Sequence, residues 1–518
     1  MMQPVVCEGF FDAGFYQGQL DTPVADPLGH FRAQGDRLGL DPSPYFSTRH
    51  YKARYPDWAA DGHPTALDSF LAQDRPGAWR SPHPLIDPVA YLRLHPDVAA
   101  AGFSPAGHFA RHGDAEGRSP TDAFDAVFYR RCYLRLQETY AFAHYIRVGQ
   151  GAGHLPRPVP RSPAQSAAAA RQVLAGIARP ILLGVHDAQE AGTPILVRDM
   201  AQHYAARGLS PVFVLRDGGP LVARYAEFGP VFVLAEGWDA AGLFAGVPRD
   251  VPVIVNSGAA ALLAQGAAQA GLRTVLLIHE MRGYLDAQGL VPGLAAAQAA
   301  GARLVASFPR MAEALRPDLG PLDVVQPGVT LPPAGLADFR ARKRVQAGRT
   351  VFIGAGHADR RKGFDLFLDA AQEIAARMPQ AGFVWLGALD PWAQDLARAA
   401  RGAGLPLSLP GFVTDSLACY AAASVYLLTS REDPGPATLI HAAATGTPFV
   451  GYAADIGLRG TVDPLGRFVA SGDRAGFVAA AIALAQQETQ TTRRARRALV
   501  RPHLGLDRYC DQLLRAFA

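Results

Sequence analysis

Residues Ala423–Val450 read ASVYLLTSREDPGPATLIHAAATGTPFV. An apolar run, rich in β-branched and aromatic residues, ends at Thr429 and Ser430. A polar turn with two prolines follows, then an apolar helix-like stretch that stops at Gly446, then a second apolar run. Strand, turn, helix and strand in so short a span is the pattern of a βαβ unit in a parallel sheet. Asp433 and His441 are costly decorations between a buried strand and its helix unless something polar docks there. Pro436 suits a first helical turn, where its missing N–H costs nothing. The free N–H groups of such a turn can face an anion. The plainer alternative makes Asp433 a helix cap.

The same alternation extends in both directions. Upstream, PILLGVHD, SPVFVLRDG, PVFVLAEG, VPVIVNSG, RTVLLIHE and ARLVASF are separated by helical stretches. After QPGVTLPPAGLADF the pattern restarts with TVFIGAG, GFVWLGALD, LSLPGF, ASVYLLTS and TPFVGY. This predicts an α/β chain with two successive Rossmann-like, doubly wound domains, and a ligand at the strand carboxyl ends in the cleft between them.

The first 155 residues differ. FFDAGFY from Phe10, YFSTRHY from Tyr45, LIDPVAYL from Leu85 and AFDAVFY from Ala123 are each followed by a helix-like element: GHFRAQG, DSFLAQD, GHFARHG and AHYIRVG. The equivalent positions His30, Ser69, His108 and His144 recur at 39, 39 and 36 residues. Such a period marks a stacked helical array of four units. The histidines belong to the repeat pattern and are read as packing residues rather than metal ligands. The expected domains are residues 1–155 for the array, 156–172 for a Pro/Ser/Ala linker, 173–335 for the first Rossmann-like domain and 336–518 for the second.

Composition bounds the function. A net charge of +4 over 518 residues gives no footing for nucleic-acid binding. The four cysteines are scattered, without CxxC spacing, so neither a zinc site nor a disulfide framework is indicated. No apolar run approaches the ~18 residues of a membrane span, and no basic, cleavable leader is visible. A cytoplasmic protein is expected, with peripheral contact at the inner membrane face left open.

Three further motifs carry chemistry. In VFIGAGHADRRKGFDLF from Val351, a glycine turn leads to Arg361 and Lys362 ahead of a helix. Lys362 is one of only three lysines in the chain. A guanidinium fork beside an ammonium suits a diphosphate; a solvated helix start is the alternative. The motif lacks the GK[ST] of a Walker loop and the third glycine of the dinucleotide fingerprint. In LLIHEMRGY, His279 and Glu280 end a strand, and Gly283 stands where a zinc protease needs its second histidine. His279 can face the cleft or serve structure alone. In HDAQEAGTPILVRDM, Gly192 and Thr193 open an amphipathic helix as a phosphate or acceptor loop, or as an ordinary βα connection.

Residues 350–485 resemble the nucleotide-binding domain of GT-B glycosyltransferases of family 4, through GAGHADRRKGFDLFLDAA, FVWLG and GFVTDSLACYAAASVYLLTSREDPGPATLIHAAATGTPFV. The first domain is similar more loosely, through AGTPILVRDMAQHYAARG, LLIHE and QPGV. The closing HLGLDRYCDQLLRAF resembles the terminal helix that packs back across the domain junction. The array resembles repeats fused to bacterial surface-polysaccharide transferases. The resemblance implies sugar transfer with retention from a nucleotide sugar, such as a UDP- or GDP-sugar, with no metal or other cofactor. The acceptor would be a glycan or glycoprotein, and the array would recruit acceptor or partner or associate with itself. It implies catalytic roles for His279, Arg361, Lys362 and Asp433. Donor contacts would come from Gly356, His357, Arg361, Lys362, Glu432, Asp433, Pro436, Ala437, Thr438 and His441, and the acceptor or phosphate loop would include Gly192, Thr193 and Glu280. The chain departs from the family at two places: His441 replaces the second acid of a paired motif, and Gly435 replaces a bulky aromatic. A neutral imidazole makes fewer bonds to a ribose than a carboxylate. A scaffold that kept the fold without turnover is therefore the second reading, and a sugar-nucleotide epimerase the third.

Overall fold

The structure is a computed structural model. It describes residues 9–330 and 349–517, apart from 61, 136, 414, 415, 434, 436 and 461; side chains at 455, 490, 501 and 503 are also left aside. Pro436 and the expected boundary at 335/336 lie outside the described residues.

Two all-parallel sheets form the body. The first contains β1 (Pro180–Val185), β2 (Ser210–Leu215), β3 (Val231–Val233), β4 (Val253–Asn256), β5 (Thr274–Ile278), β6 (Arg303–Ala306) and β7 (Asp323–Val324), in the order β3-β2-β1-β4-β5-β6-β7. The second contains β8 (Thr350–Ala355), β9 (Ala381–Leu386), β10 (Leu407–Gly411), β11 (Val425–Leu428), β13 (Phe449–Tyr452) and β15 (Gly466–Val469), in the order β10-β9-β8-β11-β13-β15. Two short strands, β12 (Glu432–Asp433) and β14 (Asp455–Ile456), pair on their own beside it. The central strands are buried end to end, as parallel strands covered on both faces must be. Each sheet reverses its winding direction once, between β1 and β4 in the first and between β8 and β11 in the second. Clefts for ligands open at such switch points.

The array is helical, and its repeats explain their own histidines. The hydroxyls of Tyr16, Tyr91 and Tyr129 lie 2.7, 2.9 and 2.8 Å from Nδ1 of His30, His108 and His144, hydrogen bonded in each case. Five residues on, Gly35, Gly113 and Gly149 leave room for those tyrosines, since a Cβ there would overlap the hydroxyl. In these three units the helix widens into a π turn at Phe31–Gly35, Phe109–Gly113 and Tyr145–Gly149. Buried aspartates stitch the units together. Asp36 accepts from Ala66 N at 2.9 Å and Lys52 Nζ at 2.6 Å. Asp114 accepts from Phe142 N at 2.8 Å and Tyr45 Oη at 2.9 Å.

The array is fixed against the first sheet domain. Gln189 Nε2 donates to Leu134 O at 2.9 Å, Tyr133 Oη donates to Glu236 at 2.8 Å, and Arg131 pairs with Asp217. Gly218 abuts the Cys132 carbonyl so closely that no Cβ fits. Aromatic residues of the array and one face of the first sheet form a single buried core. The stretch after the array is laid down too: Val159 N and Arg161 N donate to Glu236 O and Gly237 O, and the helix Pro163–Ala175 starts with a Ser162–Gln165 capping box.

At the other end the chain returns to the first domain. The helix Gln490–Leu504 packs on the second domain, and Gly505 then bridges to Val329. The amphipathic helix Leu506–Arg515 lies on the helix Gly192–Ala206, where Asp511 pairs with Arg207 at 2.7 Å. Among the described residues, no helix is long and apolar enough to cross a membrane.

Candidate functional site

The second switch point is charged. After β8 the chain turns at Gly356, whose φ of 133° excludes ordinary side chains, and the stem of Lys362 lies over it. The turn at Gly363 (φ 69°) starts the helix Phe364–Arg377, and a Cβ there would overlap the carbonyl of Thr429 at the end of β11. Gly363 thus lets the two strand ends meet, a requirement not apparent in the RKG motif itself. Arg431 then zips them, donating to both carboxylate oxygens of Asp365 at 2.9 and 2.8 Å and to Arg360 O at 2.6 Å.

This zip delivers Lys362 Nζ to Asp433 Oδ2. The two form an ion pair in which the side chains are only 14% and 4% exposed. Ser430 Oγ also donates to Asp433, at 3.2 Å. Arg361 is exposed, with Nη1 3.2 Å from Glu432 O, so its charge is available to a ligand. His357 is exposed on the same loop. Thr438 Oγ1 bonds the hydroxyl of Tyr426 at 2.8 Å, fixing the start of the helix Ala437–Ala444 to β11. His441 lies one turn further, against Tyr420 and half-buried. Crowding by protein pushes its pKa down to about 4, with Asp199 across the cleft pulling weakly the other way. His441 is neutral at physiological pH.

The first switch point is largely neutral. His279, beyond β5, lies 2.8 Å from Ser307 Oγ through Nδ1 and 3.4 Å from Asn256 Oδ1 through Nε2. Burial is the main cause of a lowered pKa, so this imidazole too is neutral. Glu280 is spent on the fold: its carboxylate accepts from Gly258 N at 2.9 Å, His279 N at 3.1 Å and Ser257 Oγ. It therefore holds the end of β4 rather than standing free toward an acceptor. Gly192 is exposed with open space beside it, and Thr193 is half-buried; they begin the helix Gly192–Ala206.

The two halves touch at the donor-side loop. A Cβ at Gly435 would lie 2.5 Å from Cζ of Phe308, a buried residue just past β6. The room freed by the missing side chain of Gly435 is thus filled from the opposite domain. Gly283 similarly faces Glu432, whose Oε2 would be 3.4 Å from a Cβ there. Neither Phe308 nor Asn256 stood out in the motif reading. Phe308 had no signal, whereas Asn256 had one, being the only asparagine in the chain.

Residues 347–487 match the family model of glycosyl transferases group 1. Among solved structures, sucrose-phosphate synthase from Thermosynechococcus elongatus superposes with a TM-score of 0.53 at 19% identity, covering 66% of this chain and 98% of its own. Anabaena Alr3699/HepE, in complex with UDP-glucose, gives 0.56 at 18% identity, covering 65% and 98%. A glycosyltransferase from Rickettsia africae gives 0.51 at 14% identity over the same shares. The two sheet domains have the GT-B fold. At these identities the likeness is one of fold. None of the curated proteins compared with the chain matches it.

Proposed function

We propose that the protein is a retaining glycosyltransferase of the family 4 type, moving a sugar from a nucleotide-sugar donor to a glycan or glycoprotein acceptor. The observation that carries this reading is the Lys362–Asp433 pair, buried at the switch point of the domain that matches group 1 glycosyl transferases. A donor diphosphate entering there exchanges Asp433 for phosphate oxygens at Lys362, and Arg361 adds a second cation. Asp433 is then free to accept from sugar hydroxyls. As the bond from the anomeric carbon to the diphosphate breaks, charge grows on the leaving oxygen where both cations meet it. The acceptor hydroxyl attacks on the same face, and its proton passes to the diphosphate. A neutral His441 leaves one hydrogen bond for the ribose. The reading calls for no metal and places the protein in the cytoplasm.

The neutrality of His441 favours a second reading, a binding protein that holds the nucleotide without turnover. Thermal stability against UDP, GDP, dTDP and their sugar conjugates tests both. A ligand at 100 times its dissociation constant adds about 2.7 kcal/mol, enough for a shift of several degrees. A shift with one base, absent in Lys362→Ala, supports the donor site; release of that nucleoside diphosphate from its sugar conjugate separates enzyme from binder. No shift at millimolar concentrations defeats both readings.

A further inference from the structure

At the first switch point two neighbouring strand ends carry polar groups that the protein leaves unsatisfied. Asn256 ends β4 and is fully buried. It pairs in the sheet with Val185, and His186 is the next residue after that strand. Asn256 Nδ2 and His186 Nδ1 are both buried without a hydrogen-bond partner. Leaving a buried amide half satisfied costs on the order of 1–3 kcal/mol, so one such group beside another marks a place where something else bonds. The backbone is shaped for it as well. Ser257 has a φ of 87°, a conformation costly for a residue other than glycine, and Glu280 holds it there by accepting from its hydroxyl and from Gly258 N.

The chemistry of the ligand follows from the groups present. The charged groups next to it are mainly carboxylates, Glu280 and Asp187, the latter 3.6 Å from His186 Nε2. Arg216, which donates to Ala259 O at 3.3 Å, is paired with Asp217, so the setting does not favour phosphate. The amide of Asn256 can turn either its N–H or its C=O away from His279, depending on which nitrogen of that imidazole carries the proton. A hydroxyl both donates and accepts, and so satisfies either arrangement; an ion satisfies only one. His186, with its side chain 23% exposed, opens the cluster toward solvent. We propose that Asn256 and His186, beside His279, form a subsite for a hydroxyl of a saccharide acceptor. This rests on the donor reading of the second domain.

The single asparagine makes the test direct, because [15N]asparagine labelling of the full chain yields one side-chain amide pair. With UDP present, that pair is expected to shift on titration with at least one of methyl α-D-glucopyranoside, methyl α-D-galactopyranoside and methyl α-D-mannopyranoside. In His186→Ala the dissociation constant is expected to rise about tenfold, the worth of one hydrogen bond. Asn256→Leu is expected to keep the near-ultraviolet circular dichroism of the parent and to lose glycoside binding by calorimetry. A pair that no glycoside moves overturns the proposal and leaves a site for bound water. A pair moved equally by UDP alone also overturns it, assigning the residues to the nucleotide. If no nucleotide stabilises the protein while glycosides still shift the amide, the donor reading fails and the hydroxyl subsite stands.

Discussion

The two switch points occupy equivalent places in two similar sheets, yet they are built from different chemistry. The second brings a lysine, an arginine and an aspartate together, with the ammonium and carboxylate nearly sealed from water. The first gathers imidazole, amide and hydroxyl groups around a strained serine, whose hydroxyl donates to the Glu280 carboxylate. A buried ion pair gives up solvation that its attraction barely repays, whereas neutral groups discriminate by hydrogen-bond direction. The same fold therefore carries one switch point built on an ion pair and one built mainly on uncharged hydrogen-bonding groups.

The largest expected effect comes from breaking the charged half. Lys362→Ala leaves Asp433 buried with, among the described residues, the Ser430 hydroxyl as its remaining side-chain donor, and a loss of about 3–5 kcal/mol is expected in denaturant unfolding. The pair Lys362→Met with Asp433→Leu should recover most of that stability while still failing to bind nucleotide. A loss below about 1 kcal/mol in the single variant would show an ion pair behaving as if in solvent.

A smaller effect is expected where the halves touch. Gly435→Ala drives a methyl into the Phe308 ring and should cost about 1–3 kcal/mol by overpacking. In a Phe308→Ala background the same change should cost little. Additive effects in that double-mutant cycle would mean that the two domains do not lean on each other at this point.

The smallest effect is one of pH. His441 has a pKa lowered from 6.5 to about 4, so below pH 6.5 the unfolded chain takes up a proton that the folded site refuses. The stability from this residue is full above pH 6.5 and falls as the pH drops toward 4. Replacing it by Gln should flatten the pH dependence of the melting temperature over that window. An unchanged slope would place the imidazole in open solvent.

Much of this was legible in the order of residues. The alternation of apolar runs and helical stretches located every central strand, and the recurring histidines at 30, 108 and 144 fell at the three tyrosine–histidine contacts of the array. Lys362 and Asp433 were found as residue types out of place in their surroundings. The short strands β7, β12 and β14 escaped because two residues carry no periodicity, and the edge strand β15 escaped because GRFV is too short and too exposed to stand out. Glu280 was assigned to the acceptor or phosphate loop through the family resemblance, and the three donors that occupy its carboxylate leave no trace in the sequence. Asn256 was passed over because one amide in an apolar strand has no motif around it.

By itself the sequence determined the local units: which runs become strands, where glycines allow the turn ahead of Arg361, and which side chains can carry charge. Those follow from backbone sterics and hydrophobic period, which act over a few residues. Only the tertiary structure decided that Lys362 meets Asp433, that Phe308 fills the space at Gly435, and that the array is fixed to the first domain through Gln189 and Gly218. Each of these joins residues tens to more than a hundred positions apart, and their partners are chosen by how whole layers pack.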